Sequence, residues 1–224
     1  MSRARGLLEQ ELQGETPGPI LFVEDASFLP GIIGLVAGRL AEELYRPAVV
    51  VATGPEVSRE SCRSIPEFDI DGALYKVEAQ GNRFLRHGGH TQAAGFTTAT
   101  EALPGLREQL HEVAAEALGD SDLRPGLDID ETIALGSLPR DTYQLMRSLA
   151  PFGKGSPVPV FLSTGVQVTN VRVMGGNGEH LRLKLKDQGV TWDAEAFRQG
   201  ESATLIGSGD STIDVVYAIG IDRY

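Results

Sequence analysis

Apolar positions along the chain fall into two kinds of pattern, a helical one confined to the first two thirds and a strand one that takes over completely near the end. Ile20 to Val23 is a short β-branched run ended by Glu24 and Asp25, which predicts a buried strand. Ile33, Val36, Ala37, Leu40 and Leu44 then recur at three- and four-residue spacing, predicting a helix capped by Ser27 with Pro30 in its first turn. Arg46-Pro47 stops it, and Ala48 to Ala52 (AVVVA) reads as a second strand buried on both faces. A strand, a helix and a strand in succession imply a parallel α/β core.

Residues Thr53 to Pro66 hold no sustained period and read as a loop or irregular edge. From Asp69 a helix is predicted, capped by the aspartate, with Ile70, Ala73, Leu74 and Val77 on one face and Gly81-Asn82 at its end. In RFLRHGGHTQAAGF the adjacent Gly88 and Gly89 predict a sharp turn, after which Ala93 to Thr98 resumes as strand. A third helix spans about Glu101 to Leu118 and is closed by Gly119. Asp120 to Gly126 is linker-like, Leu127 to Leu135 has a strand pattern, and a helix from Pro139 to about Ala150 takes Ser137 as its cap. PFGKGSPVPVF, with three prolines and two glycines, forbids regular structure and marks a boundary. Beyond it everything is strand: Val158 to Val173, bent at a bulge, then His180 to Lys186, Thr191 to Phe197 and Thr212 to Ile221, the spacing of a small barrel or curled sheet.

Composition changes little in this picture: 41% hydrophobic and 23% charged residues suit a folded chain of 224 residues divided into two domains. The apolar runs are far shorter than the roughly 20 residues that span a bilayer, and MSRARGLLEQELQGE lacks the apolar stretch of a secretory signal, so the expected compartment is the cytoplasm. The single cysteine, Cys62, cannot form an internal disulfide and reads as structural. Charge matters more. The net value of −11 argues against a polyanionic partner, but nine acidic residues against Arg107 and Arg124 between Glu101 and Glu131 supply −7 of it. From Phe152 to Trp192 five basic residues (Lys154, Arg172, Arg182, Lys184, Lys186) stand against Glu179 and Asp187, a balance of +3.

The basic segment carries the clearest chemistry. In EHLRLKLKD the strand period sends Leu181, Leu183 and Leu185 to one face and His180, Arg182, Lys184 and Lys186 to the other, a row of charge suited to a phosphate backbone or, more plainly, to a solvated edge. Aromatic stacking platforms are scarce there, Trp192 and Phe197 being the nearest. A second group gathers Arg83, Arg86, His87 and His90 around Gly88-Gly89, where backbone amides can approach an anion. A third, Arg63-Ser64 with Arg59, Ser58 and Ser61, is a phosphate cradle or a polar surface. No CxxC or HExxH spacing exists for a metal, no GxSxG and no carboxylate pair emerges, and Gly153-Lys154-Gly155-Ser156 departs from a P-loop at both its first glycine and the residue after lysine. No catalytic residue and no metal ligand is assigned.

In order along the chain, FLPGIIGLVAGRLAEELYRPAVVVA, SCRSIPEFDIDGAL, FLRHGGHTQAAGF, LAPFGKGSPVPVF and GEHLRLKLKD resemble the C-terminal part of RecJ-type single-stranded-DNA exonucleases of the DHH superfamily, from about Arg5 to Tyr224. The resemblance implies a mixed-sheet α/β DHH-associated domain at 20–135, after the end of a linker helix at 1–19, then a helical connector and Pro/Gly-rich boundary at 136–156 and an all-β OB-fold at 157–224 that stops before its last strand. It also implies a 5′ to 3′ exonuclease of recombination and repair whose two divalent ions, Mn2+ or Mg2+, are held by a DHH domain not contained in these residues. The chain itself is then expected to bind single-stranded DNA and not to cut it, with no cofactor of its own. The contacts implied are Arg63, Ser64, Arg86, Gly88, Gly89, His90, Lys154, Arg172, Arg182 and Lys184; the protein partners are the missing DHH domain and single-strand binding protein or a helicase. Two positions depart from the family pattern: Phe28-Leu29 stands where a Trp-His pair is usual, and Cys62 where a small residue is common. Rival readings are a small-oligonucleotide or cyclic-dinucleotide phosphodiesterase of the same superfamily and a non-catalytic repair scaffold.

Overall fold

The buried run after Ile20 forms β1 (Leu21–Asp25) and AVVVA forms β2 (Ala48–Ala52), paired in parallel from Leu21 opposite Ala48 to Asp25 opposite Ala52. This is a computed structural model, and it describes residues 1–81, 84–119, 121–139, 141–153, 155–207 and 211–221. Two compact units divide at Pro125 and Gly126.

In the first unit the helix connecting β1 to β2 is α2 (Ile33–Leu44), which starts at the first residue of its apolar period, later than a Ser27 cap and Pro30 in the first turn suggested. Ser27 does not cap it: the Ser27 hydroxyl and amide both donate to Asp25, closing a turn at the end of β1. That turn and the salt bridge from Arg3 hold the Asp25 carboxyl down at about 2. The N-terminal residues form α1 (Ser2–Leu12), whose Ala4 and Leu8 join α2, Leu21, Val23 and Val50 in one hydrophobic cluster.

Thr53 to Pro66 is a correction. Val57–Arg63 is β3, antiparallel to β2 and central in a five-stranded sheet of order β1-β2-β3-β5-β4. Its period was hidden because the inward residues are Ser58, Glu60 and Cys62 rather than large apolar ones, so alternation by hydrophobicity is absent although alternation by burial is complete. Asp69 caps α3 (Ile70–Ala79) as expected, its side chain accepting from the Gly72 amide at 3.0 Å. Gly88-Gly89 is the second correction. Both lie inside an edge strand, β4 (Arg86–His90), and the reversal comes at Thr91-Gln92 before β5 (Ala93–Ala99). A 3-10 turn at Thr100–Ala102 leads into α4 (Leu103–Leu118), closed by Gly119 in the left-handed region at φ 52°. Helices α3 and α4 bury Leu74, Leu106 and Leu110 against Val49, Val51, Cys62 and Phe96 on the sheet face opposite α2. Burial pushes the Cys62 thiol well up, consistent with a structural cysteine.

In the second unit the predicted strand at Leu127 to Leu135 shrinks to β6 (Glu131–Thr132), parallel to the start of the next strand. Pro157 and Pro159 bring no amide to that seam, so the ladder cannot extend past Val160, whose amide donates to the Asp130 carboxylate at 2.8 Å. The helix expected from Pro139 is also shorter, α5 (Thr142–Ser148), and Ser137 is no cap: it closes a 3-10 turn and its hydroxyl reaches Gln188 at 3.3 Å. The remaining strands match closely: β7 (Phe161–Met174), β8 (His180–Asp187), β9 (Val190–Ala196) and, after the short α6 (Ala203–Ile206), β10 (Ser211–Tyr217). The bend foreseen in the long strand is a register shift between Val168 and Asn170. The sheet order is β10-β7-β8-β9 with β6 beside β7, and among the described residues it does not close into a barrel. Val166, Val168, Leu181, Leu183 and Leu185 form its buried core.

Candidate nucleic-acid interface

Because cross-strand partners share a face, the register of the first sheet assembles a site from residues far apart in sequence. Ala48, Val50 and Ala52 face α2; opposite them on β3 stand Arg63, Ser61 and Arg59. Next to those on β5 are Ala93, Gly95 and Thr97, and on β4 His90, Gly88 and Arg86. One face therefore carries Arg59, Arg63, Arg86 and His90, with Gly95 and Gly88 as a floor without side chains between them. Arg59, Arg86 and His90 are exposed and Arg63 is half-buried.

Arg63 is braced. Its guanidinium donates to the Cys62 carbonyl at 2.8 Å and the Ser61 hydroxyl at 3.3 Å, and it lies along Gly34 and Gly38 of α2, where a Cβ at Gly34 would come within 3.2 Å of its Nη2. Two glycines four residues apart on the first turns of α2 are what let the helix approach this arginine. Ser64 has a structural duty: its amide donates to the Gln92 carbonyl and its hydroxyl to the Phe68 carbonyl at 2.6 Å, fixing the corner that leads to α3. Gly89 faces the other way, toward Ala94, and is required by closeness: a Cβ would overlap the Ala93 carbonyl oxygen and the Ala94 backbone. The two histidines of the segment separate by the same alternation. His90 joins the basic face, whereas His87 turns inward against Tyr75 and Phe84, 3.2 Å from Glu78. Arg59 and Ser61, grouped with Arg63 by the sequence but absent from the contacts that the family resemblance implied, join the face through strand β3. Lys154 and Arg83 lie outside the described residues.

In the second unit Arg172, Arg182 and Lys184 line a groove of about 300 Å³ that also takes in Asn170 and Asp193. Arg172 stands opposite Arg182, and Asn170 opposite Lys184. The row is not purely basic, however. On β9 Glu195 stands opposite Arg182 and Asp193 opposite Lys184, with Lys184 Nζ 3.5 Å from the Asp193 carboxylate. Trp192 lies on the opposite face of β9 from Asp193 and Glu195, packed against the core of the unit.

The acidic pair lowers the attraction of this face for phosphate, since each anion stands on the same surface as the cation it neutralises. Replacing both (Asp193→Asn with Glu195→Gln) is expected to tighten single-strand binding by about threefold or more at low salt and by less at roughly 0.3 M salt, measured by anisotropy. Equal affinities for the variant and the parent at low salt would remove this face from the interface.

Among the described residues no three His, Cys, Asp or Glu side chains gather in a metal-binding arrangement. No helix among them is long and apolar enough to cross a membrane.

Family models match both units. Residues 18–116 match the DHHA1 domain and residues 129–224 the RecJ OB domain. The chain belongs to the RecJ family. It is 30% identical over 207 residues to the single-stranded-DNA-specific exonuclease RecJ of Bacillus subtilis (strain 168), and 30% over 191 residues to that of Thermus thermophilus. These alignments take in 91% and 85% of this chain but 26% of each relative, so the chain spans about a quarter of their length. The crystal structure of RecJ in complex with Mn2+ from Thermus thermophilus superposes with a TM-score of 0.74 at 25% identity, over all of this chain and 32% of that one; the Mg2+ complex from the same organism gives 0.73 at 26%, over all of this chain and 34% of that one.

Proposed function

We propose that this chain is the strand-gripping part of a 5′ to 3′ single-stranded-DNA exonuclease of recombination and repair, acting in the cytoplasm beside a two-metal DHH domain that lies outside these residues. The observation that carries this is the basic face of the first sheet. Arg59 and Arg63 of β3, with Arg86 and His90 of β4, surround a glycine floor on which a phosphate backbone can lie while Arg63 is held in place by α2. Arg172, Arg182 and Lys184 give the OB unit a second, weaker phosphate-binding face. Gly88 and Gly89 serve by their lack of bulk, and Ser64 by fixing the corner next to Arg63. The complete protein is the expected partner of single-strand binding protein or a helicase.

A fluorescently labelled oligo(dT) titrated with the purified chain tests the grip. Binding is expected to weaken with salt along a log–log slope of about −2, the value for roughly three released counterions on a single strand. Arg63→Ala combined with Arg86→Ala is expected to flatten that slope by ~1 and to weaken binding at least tenfold. A slope near zero, or tight binding unaffected by the double substitution, would refute the reading.

A further inference from the structure

Phe197 is 65% exposed, although it directly follows β9 in a tightly built corner. Its ring meets the His180 ring edge-on at a centroid distance of 5.4 Å. The Arg198 amide donates to His180 Nδ1 at 2.9 Å, which fixes the imidazole plane. Two residues further on, the Gly200 amide donates to the Glu179 carbonyl at 3.0 Å, and Gly200 sits so close to Gly178 that any Cβ would overlap the Gly178 carbonyl oxygen. The turn between β7 and β8 is thereby locked to the segment that follows β9. An aromatic ring held by this much backbone and still open to solvent is preorganised, so little conformational freedom is lost when a flat partner covers it.

Position specifies the partner. Alternation puts His180 on the same face of β8 as Arg182 and Lys184, and Phe197 continues the outward series Asp193 and Glu195 of β9. The aromatic pair is thus the end of the cationic row. Phosphates spaced along that row would carry a base to the ring, and every base offers a π-face, whereas a duplex keeps its faces stacked inside.

We infer that Phe197, braced by His180, is a base-stacking platform that captures one unpaired base of the strand whose phosphates lie along Arg182 and Lys184. This rests on the single-strand reading above and adds to it a reason for preferring unpaired nucleic acid.

Two labelled strands of equal length and charge separate the two ideas: oligo(dT) and the same backbone with abasic residues, both titrated with the full chain. Phe197→Leu is expected to weaken oligo(dT) binding roughly five- to tenfold, the loss of one stacked base, and to leave the abasic strand unchanged. Phe197→Tyr should retain parental affinity for both. Equal oligo(dT) affinity for the parent and Phe197→Leu, or equal weakening on both strands, would overturn the inference while leaving the phosphate grip intact. Failure of the parent chain to bind either strand would overturn both. Thermal melts that match the parent's establish that the leucine variant is folded; if it is not, loss of the base preference in His180→Ala, with Phe197 retained, decides the question.

Discussion

Glu60→Gln is expected to raise the melting temperature of the first unit by roughly 5–10 °C at pH 8 and to change it little at about pH 4.5. Glu60 is 5% exposed in the middle of β3, facing α3 and α4, between Val51 of β2 and Phe96 of β5. Neither of its carboxyl oxygens has a hydrogen-bond partner, and the hydroxyl of Thr98 on the same face is equally unmatched. Desolvation without compensation pushes this carboxyl up to about 8. Between the ordinary glutamate value near 4.5 and 8, the folded chain keeps a proton that the unfolded chain releases. Stability therefore falls as pH rises through that window, by at most about 1.4 kcal/mol per unit. Taking about half of that limit for a carboxylate part-screened by solvent gives a loss of about 2–3 kcal/mol. Glutamine cannot ionise, so its melting curve should lack this slope. Parallel pH profiles for the parent and Glu60→Gln between about pH 5 and 8.5 would show that Glu60 is not the group responsible.

Gly89→Ala is expected to cost about 2 kcal/mol and to weaken single-strand binding at least tenfold, since the added Cβ meets backbone rather than the end of a flexible side chain. Strand β4 is an edge strand paired only with β5, so the overlap is relieved by lifting it away, which displaces Arg86 and His90 from the basic face. Hydrogen exchange should quicken at Leu85, whose amide donates to Thr97, and along β5. Gly105→Ala is the contrasting control: nothing lies within 4 Å of a Cβ there, in helix α4, and the change should be neutral or slightly stabilising. A Gly89→Ala protein with parental melting temperature and affinity would mean that the closeness of β4 to β5 plays no part in the grip.

How far the sequence could be read depended on which force shaped each segment. AVVVA, the α2 and α3 periods and EHLRLKLKD were legible because burial of apolar side chains imposes a repeat on the residues themselves. Strand β3 was not, because its inward positions are Ser58, Glu60 and Cys62, and a polar residue buried by its neighbours leaves no periodic trace. The two glycines were misread for a related reason. A glycine pair signals a turn by backbone freedom, yet Gly89 is needed here for the separation between two strands, a requirement set by Ala93 and Ala94 rather than by Gly89's own neighbours in sequence. Ser27 and Ser137 had the chemistry of caps, but each hydroxyl found another partner, in Asp25 and Gln188.

For the site, local pattern was enough to place Arg182 and Lys184 on one side of a strand and to single out Arg63, Arg86 and His90 as basic residues near glycines. It could not show that Arg59 and Arg63 share a face with Arg86 and His90, that His87 faces away, or that Asp193 and Glu195 partly neutralise the row on β8. The sequence by itself determined the order of the segments, the class of the fold and the family. Which cations share a face, and which anions stand beside them, was decided only by strand register, because register brings together residues tens of positions apart whose spacing along the chain carries no information about their distance in space.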